Sequence, residues 1–492
     1  MDFALILPGE GPRGERLVEA LREAILGGRL APGERLPPSR ALAAQLGISR
    51  GTVVAAFEEL VSEGYCAARV GAGTFVTVSA PPRREPPPSV EPALSGWGRR
   101  LVLPVAADGA GPPTSLTSAE NAPGAPVPFD FRPGLAAEPF PAEALGRALR
   151  RAAAYFGSEY SSGHPAGSPR LRAALAAHLA HARAVRATAE QVIVVSGSQQ
   201  GIDLATRLLL EPGDRVCIEE PGYPRARAVF GALGARLAPV PVDGDGLDHA
   251  ALPAEGARMV YVTPSHQYPT GAVLAPERRL ALLDWAQQHD AWLLEDDYDS
   301  EFRYSGPPLP AMQGMDRAGR CLYLGSLSKL LHPALRVGYL VVPPALVPAA
   351  VAAKSTLDQA TSPAMQEALA DLFESGEVER HLRRALRGYR ARRACLLAAF
   401  ASHLPAGVRV WPVTGGLHAF IEAPAADPVR LHRETAARGV AINDAAPCYQ
   451  SAPPGTRLIL WFGRIPPARI ESGVAALAEA LRAATLPRAG AI

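Results

Sequence analysis

Residues 79–128 read as a break between two foldable segments. Pro81-Pro82, Pro86-Pro87-Pro88, Pro112-Pro113, Pro123, Pro126 and Pro128 lie there among Ala, Gly and Ser, with little apolar periodicity. Proline lacks an N–H and holds φ near −65°, so such a run neither propagates a helix nor sits inside a sheet. A linker is expected, semi-extended where the prolines cluster. The chain is thereby constrained to two parts. One is a small domain over 13–78. The other is a large domain over 129–492, itself divided into a large part of about 129–360 and a small part of about 361–492.

Composition narrows the function classes. The 492 residues carry 50 Lys or Arg against 48 Asp or Glu, a formal net charge of +2. That balance excludes a chain that coats nucleic acid indiscriminately. Five cysteines stand far apart with no CxxC pair, which fits neither a disulfide framework nor a zinc centre, and no metal site is expected. Met1–Pro8 has no basic flank and too short an apolar run for a signal peptide. The longest uncharged apolar stretch, Val337 to Ala353, is interrupted by Pro343, Pro344 and Pro348, a poor membrane span. A cytoplasmic protein with reduced thiols and no membrane partner is the expectation. Lysine is scarce: Lys329 and Lys354 are the only two in the sequence, so chemistry that needs a lysine amine has two candidates.

In the first part Leu17, Leu21 and Ile25 recur at helical spacing. Ser39 is placed to cap a second helix with Leu42, Ala43 and Leu46. Gly47 ends that helix, and Ser49 caps a third with Val53, Phe57 and Leu60. Two short helices joined by a glycine turn predict a helix-turn-helix. Tyr65 to Val70, a turn at Gly71-Ala72-Gly73 and Thr74-Phe75-Val76 predict a hairpin. Ser49-Arg50-Gly51-Thr52 puts small polar and basic groups at the end a recognition helix presents to base edges and phosphates. Residues 1–80 nonetheless hold 8 Arg and 9 Asp or Glu. Any basic footprint is local, and weak non-specific affinity with dependence on dimerisation is expected.

From about residue 129, apolar runs at 192–195, 215–219, 259–262, 291–295 and 321–324 alternate with helical segments such as 198–210 and 276–289. That predicts a mostly parallel sheet flanked by helices. The polar chemistry clusters at the ends of those strands, where open α/β sheets place ligands. Strand 291–295 runs into Asp296-Asp297-Tyr298-Asp299, strand 321–324 into Gly325-Ser326-Leu327-Ser328-Lys329, and strand 192–195 into Ser196-Gly197-Ser198-Gln199 at a helix start. Acidic, amine and phosphate-cradling groups in this order suit pyridoxal 5′-phosphate, which has a ring nitrogen, an aldehyde and a phosphate.

Two resemblances follow. Pro32-Gly33, Leu36-Pro37, Ser39-Arg40, Leu46-Gly47-Ile48-Ser49-Arg50-Gly51-Thr52-Val53, Gly64-Tyr65 and Gly71-Ala72-Gly73-Thr74-Phe75-Val76 resemble the winged-helix domain of the GntR family. The resemblance implies that Arg40, Ser49, Arg50 and Thr52 contact double-stranded operator DNA, with Gly71 in the wing. Ser196-Gly197-Ser198-Gln199-Gln200, Glu220-Pro221-Gly222-Tyr223, Thr263 to Gly271, Glu295 to Tyr304 and Gly325 to Lys329 with Arg336 resemble fold-type I aminotransferases. Both in one chain resemble the MocR/GabR subfamily of GntR regulators. That implies an α/β chain: a winged helix, then a fold-type I domain with helices on both sheet faces and a smaller C-terminal α/β subdomain, acting as a homodimer.

By the same resemblance Lys329 is the Schiff-base lysine. Asp296 pairs with the ring nitrogen, with Asp297 as the alternative register. Tyr298 and Gln267 approach the phenolic oxygen. Ser198, Gln199, Ser326 and Arg336 hold the phosphate, Tyr223 lies against the ring, and Tyr160 reaches the partner subunit's cofactor. Lys354 is expected at the surface. One departure stands out. Family members commonly carry an Arg for the substrate carboxylate in a Leu-Arg-Leu-Gly-Phe pattern, and here the stretch is Leu458-Ile459-Leu460-Trp461-Phe462. Arg225 is the candidate to receive an effector carboxylate instead. The departure argues against ordinary amino-acid transamination, leaving at most vestigial or partial chemistry. It favours a regulator that senses pyridoxal phosphate or an amine or amino-acid effector. The alternatives are an active aminotransferase with an accessory DNA-binding domain and a regulator whose second domain binds no cofactor.

Overall fold

The computed structural model describes residues 11–69, 71–77, 95–102, 127–135, 140–154, 163–306, 309–451 and 453–485. It divides into two compact units, residues 1–93 and 94–492.

The first unit packs α1 (Arg13–Leu26), α2 (Ser39–Leu46) and α3 (Arg50–Ser62) beside a hairpin of β1 (Cys66–Arg69) and β2 (Gly73–Val76). Leu17, Leu21, Ile25, Leu42, Val53, Phe57 and Leu60 form one core, each large apolar side chain contributing about 1.5–3 kcal/mol by its burial. Gly47 ends α2 at φ 62°, left-handed backbone that favours glycine. Ser49 caps α3, its Oγ accepting from Thr52 N at 3.0 Å. Ser39 does not cap α2. Pro38 holds that position, and Ser39 is already in the first turn, its hydroxyl accepting from Arg50 Nε at 3.4 Å. The stretch before α2 also joins the wing, with Leu36 N donating to Thr74 O and Val76 N to Glu34 O.

The second unit starts inside the expected linker. α4 (Gly96–Val102) is helical, and Arg100 Nε donates to Ala232 O at 2.8 Å, so this piece belongs to the large domain. After β3 (Phe129–Asp130), α5 (Ala142–Ala154) and α6 (Pro169–Arg183), the chain alternates strand and helix: β4 (Val192–Val195), α7 (Ser198–Leu209), β5 (Arg215–Glu220), α8 (Pro224–Ala232), β6 (Arg236–Asp243), β7 (Gly246–Leu247), β8 (Ala257–Val262), α9 (Pro276–Gln288), β9 (Trp292–Asp297), α10 (Met312–Met315), β10 (Cys321–Ser326), α11 (Leu327–Leu330), β11 (Gly338–Val341) and α12 (Val347–Asp358). The eight strands form one sheet in the order β4-β11-β10-β9-β8-β5-β6-β7. The central run from β10 to β6 is parallel, while β11 and β7 run antiparallel.

Both sheet faces are covered, which is why these strands read as continuous apolar runs. Val192 and Val194 pack with Leu171, Leu175 and Leu369 on one face. Ile193 and Val195 pack with Ile202, Phe230 and Ala350 on the other. The period-2 pleat makes that division.

α13 (Pro363–Glu374) and α14 (Glu377–His403) lead into β12 (Arg409–Val410), β13 (His418–Ala423), α15 (Pro428–Ala437), β14 (Val440–Ala441), β15 (Asn443–Asp444), β16 (Thr456–Trp461) and α16 (Pro467–Ala484). β12-β13-β16-β15 form an antiparallel sheet over a second core. The two parts of this domain interleave along the chain: β3 pairs with β14, while Leu369 and Phe373 of α13 belong to the core of the large sheet. Among the described residues no helix is long and apolar enough to cross a membrane.

Candidate cofactor site

The C-terminal ends of the parallel strands open onto a cavity of about 310 Å³. Asp296 stands at the end of β9, and its register partner in β10 is Leu324, so the β10–α11 turn carries Ser326, Ser328 and Lys329 to the same rim. β4 ends in the turn to α7, whose first residues Ser198 and Gln199 also line the cavity. Tyr223, Arg225, Tyr298, Arg336 and Trp461 complete the chemically distinctive lining. Of the residues expected at the cofactor, Lys329, Asp296, Tyr298, Ser198, Gln199, Tyr223, Ser326 and Arg336 are brought together here, and Arg225 joins them. Tyr160 lies outside the described residues.

The pleat separates the two aspartates. Asp297 turns to the opposite face, where its Oδ2 accepts from Arg183 Nε and from Tyr323 OH, each at 2.7 Å. Asp296 is 4% exposed and accepts from Tyr261 OH at 2.5 Å through Oδ2. Its Oδ1 is buried with no hydrogen-bond partner. Burial pushes the Asp296 carboxyl up to about 7, with Asp297 and Asp299 adding repulsion, while the Tyr261 hydrogen bond opposes the rise. A buried carboxylate with one satisfied oxygen and one bare oxygen facing a cavity is built for a cationic N–H donor.

The α7 side of the cavity is equally legible. α7 has no side-chain cap and presents its first-turn backbone N–H groups and the positive end of a 12-residue helix. Arg336 sits at φ 51°, left-handed for a non-glycine residue, and donates through Nη2 to Ser196 O at 3.2 Å. Such backbone costs about 1–3 kcal/mol and marks sites where placement of the side chain matters. Gly197 keeps the approach open, since a Cβ there would meet the Arg336 guanidinium at 3.0 Å.

Gln267 is not in the cavity. It is 1% exposed, and its Nε2 donates to Pro221 O, Tyr268 O and Glu219 Oε2. Its amide ties the 263–271 turn to the end of β5, and Tyr268, one residue on, supplies the lining. Lys354 is not at the surface either. It is 0% exposed, and Nζ is ion-paired with Asp358, whose other oxygen accepts from Gln200 Nε2 at 2.8 Å. Gln200 in turn accepts from Ser196 N at 2.7 Å, so this lysine braces the start of α7.

Tyr261, Tyr268, Ser328 and Trp461 were not singled out in the sequence. The signal for Tyr261 was a phenol inside an apolar strand, which needs a hydrogen-bond partner when buried. Trp461 faces Lys329, whose Nζ lies 4.4 Å from the ring centroid. Ile459 is fully buried among Phe420, Tyr389 and Phe302, and Arg457 is held by Pro453 O and Glu422. The fold also assembles His266, Asp299 and His418, buried side chains within 4.8 Å of one another from three separate segments. No spacing in the sequence announces them.

In the first unit Arg40, Ser49, Arg50 and Gly71 are exposed and Thr52 is half-buried around the α3 N-terminus and the wing tip.

Residues 133–459 match the family model "Aminotransferase class I and II", and residues 13–76 match "Bacterial regulatory proteins, gntR family". The chain is 36% identical over 483 residues, 96% of its length and 94% of the relative's, to the probable rhizopine catabolism regulatory protein MocR of Rhizobium meliloti. It is 35% identical over 407 residues, 82% of each chain, to the HTH-type pyridoxine biosynthesis transcriptional regulator PdxR of Corynebacterium glutamicum. Among solved structures, Pyrococcus horikoshii kynurenine aminotransferase superposes at a TM-score of 0.68 with 27% identity, covering 73% of this chain and 91% of that one. Thermus thermophilus LysN, complexed with a phosphopyridoxyl-leucine, superposes at 0.66 with 30% identity, covering 72% and 92%. Fold and site together define a transcriptional regulator in which a GntR helix-turn-helix precedes a fold-type I, pyridoxal phosphate-binding aminotransferase-like domain. The chain belongs to the MocR/GabR subfamily of GntR regulators.

Proposed function

We propose that this regulator binds operator DNA as a homodimer and that occupancy of the cavity by pyridoxal phosphate, or by an amine or amino-acid effector arriving at it, changes operator affinity. The observation that carries the reading is the bare, buried Oδ1 of Asp296 in a cavity that Lys329 also lines. Pyridoxal phosphate supplies an aldehyde that condenses with an amine and a ring that withdraws electrons. Asp296 holds the proton on the ring nitrogen, and Lys329 offers the amine. Tyr298 orients the phenolic oxygen, and Tyr223 covers the ring. Ser198, Gln199, Ser326 and Arg336 bind the phosphate. Arg225, which lines the cavity, receives the effector carboxylate. In the first unit Arg40, Ser49, Arg50 and Thr52 contact operator DNA, with Gly71 at the wing tip.

Ile459 supports regulation over turnover. By the family's sequence pattern a buried aliphatic side chain replaces the carboxylate-binding Arg, and the neighbouring Arg457 is held by Pro453 O and Glu422. A protein with these relatives acts in the cytoplasm, where its operator is.

A ligand shifts DNA affinity only if it binds two arrangements of the chain unequally. The test is operator affinity of the full chain with and without saturating pyridoxal phosphate. A change in Kd of about tenfold corresponds to about 1.4 kcal/mol of coupling. Equal affinities would remove the sensing role. Rapid catalytic conversion of an amino donor to its keto acid would favour the enzyme reading instead.

A further inference from the structure

Behind Tyr298 lies a polar group that the cofactor site does not itself use. His266 is 3% exposed and Asp299 1%. His266 Nδ1 stands 3.0 Å from Asp299 Oδ1 and 3.0 Å from the Tyr298 hydroxyl. One ring nitrogen therefore serves two oxygens, and it has either a proton or a lone pair to offer them. Asp299 decides which. An ionised carboxylate only accepts, and among the described residues no Arg or Lys forms an ion pair with it. Left without a donor, a carboxylate this deeply buried is costly.

With Asp299 ionised, Nδ1 carries the proton and shares it between Asp299 and the Tyr298 oxygen. Tyr298 accepts at that contact, so its own hydroxyl hydrogen is directed away from His266, towards the cavity it lines. With a bare Nδ1 the tyrosine would donate into the imidazole, and the cavity would lose a donor. The ring cannot swing away: a Cβ at Gly416 would lie 1.9 Å from His266 Cε1, so the bare glycine leaves the imidazole just enough room. On its other side His418 packs at a centroid distance of 4.9 Å, its Nε2 3.0 Å from Pro269 O. The other charged groups that line the cavity are Asp296, Lys329, Arg225 and Arg336.

We propose that Asp299, acting through His266, is a positioning residue that makes Tyr298 a hydrogen-bond donor into the cavity. This rests on the reading that places the cofactor's phenolic oxygen at Tyr298.

The test is a pH titration of the visible absorbance of the cofactor-loaded full chain. Four forms are compared: wild type, Tyr298→Phe, Asp299→Asn and the double variant. The asparagine is isosteric and can donate to Nδ1, which reverses the proposed proton order. Asp299→Asn is expected to move the titration midpoint in the same direction as Tyr298→Phe and by at least half as far. The double variant is expected to match Tyr298→Phe alone, because both changes act through one hydroxyl. Additive shifts, or a shift in Tyr298→Phe with none in Asp299→Asn, overturn the relay while leaving the cofactor reading intact. No shift in Tyr298→Phe overturns the cofactor reading and the relay with it. A second measurement needs no folded variant of Asp299. In the wild-type chain labelled with nitrogen-15 histidine, the His266 resonance, identified by its loss in His266→Gln, is expected to show a protonated Nδ1. A deprotonated Nδ1, or one divalent ion per wild-type chain that co-purifies and whose removal by a chelator shifts the His266 resonance, overturns the proposal.

Discussion

At the residue scale, Asp296 and Asp297 show how a strand gives two identical side chains different roles. The pleat sends one to the cavity and the other to Arg183 and Tyr323. The environment of Asp296 has a pH consequence. Its carboxyl lies at about 7 in the folded chain, against an ordinary value of about 4 when unfolded. The folded state therefore binds more protons between those values. Stability of the cofactor-free chain is expected to fall as pH rises from about 4 to about 7. Asp296→Asn should flatten that part of the stability curve, measured by chemical denaturation at several pH values, and an unchanged slope would refute the assignment. The two lysines separate in the same way. Lys329→Ala is expected to abolish the visible absorbance of bound cofactor. Lys354→Ala should keep it but cost about 1–3 kcal/mol of stability, less than the loss of a fully buried pair because Asp358 is partly exposed.

At the element scale, α7 brings Ser198 and Gln199 to the cavity by how closely it lies on the sheet. A Cβ at Gly201 would sit 2.3 Å from Leu324 Cδ1, so only glycine lets the helix approach β10 this closely. Ile202, Leu204 and Ala205 then pack into the sheet face beside Val195 and Leu324. Gly201→Val is expected to push α7 outward, lower pyridoxal phosphate affinity about tenfold or more, and leave secondary structure intact. Affinity equal to wild type would show that α7 does not set the phosphate position. The opening of α7 was readable in the sequence, because Ser196-Gly197-Ser198 follows an apolar strand. The brace from Lys354 through Asp358 and Gln200 to Ser196 was not, since it links a residue 158 positions away from Ser196 through a contact that only packing creates. Ser39 misled for a local reason. Pro38 takes the N-cap position with extended backbone, so the helix starts one residue earlier than the serine's capping preference implies.

At the scale of the whole molecule, the scarcity of lysine makes the regulatory question experimentally clean. If operator affinity responds to pyridoxal phosphate through Lys329, then Lys329→Ala should bind operator with one affinity whether or not the cofactor is present. Lys354→Ala should retain the response. A Lys329→Ala chain that still responds would place sensing elsewhere in the cavity. The proline-rich break between the parts was legible because composition is local. That α4 within it belongs to the large domain was not, because its docking depends on the Ala232 carbonyl at the end of α8. The interleaving of β3 with β14 escaped for the same reason, as two-residue strands carry no periodicity.

The sequence was sufficient for the two-part architecture, the mostly parallel sheet, and the strand-end clusters that carry Lys329, the Asp296-Asp297 pair and the start of α7. Each of these rests on a local signal: proline clusters, apolar runs, and polar residues placed just after a strand. The tertiary structure was needed for the rest. It placed Asp296 and not Asp297 in the cavity, buried Lys354, withdrew Gln267 in favour of Tyr268, and brought Asp299, His266 and Tyr298 into contact. Those outcomes depend on which face a side chain takes and which distant partner satisfies it. Hydrogen bonds between segments tens to hundreds of residues apart leave no trace in spacing along the chain.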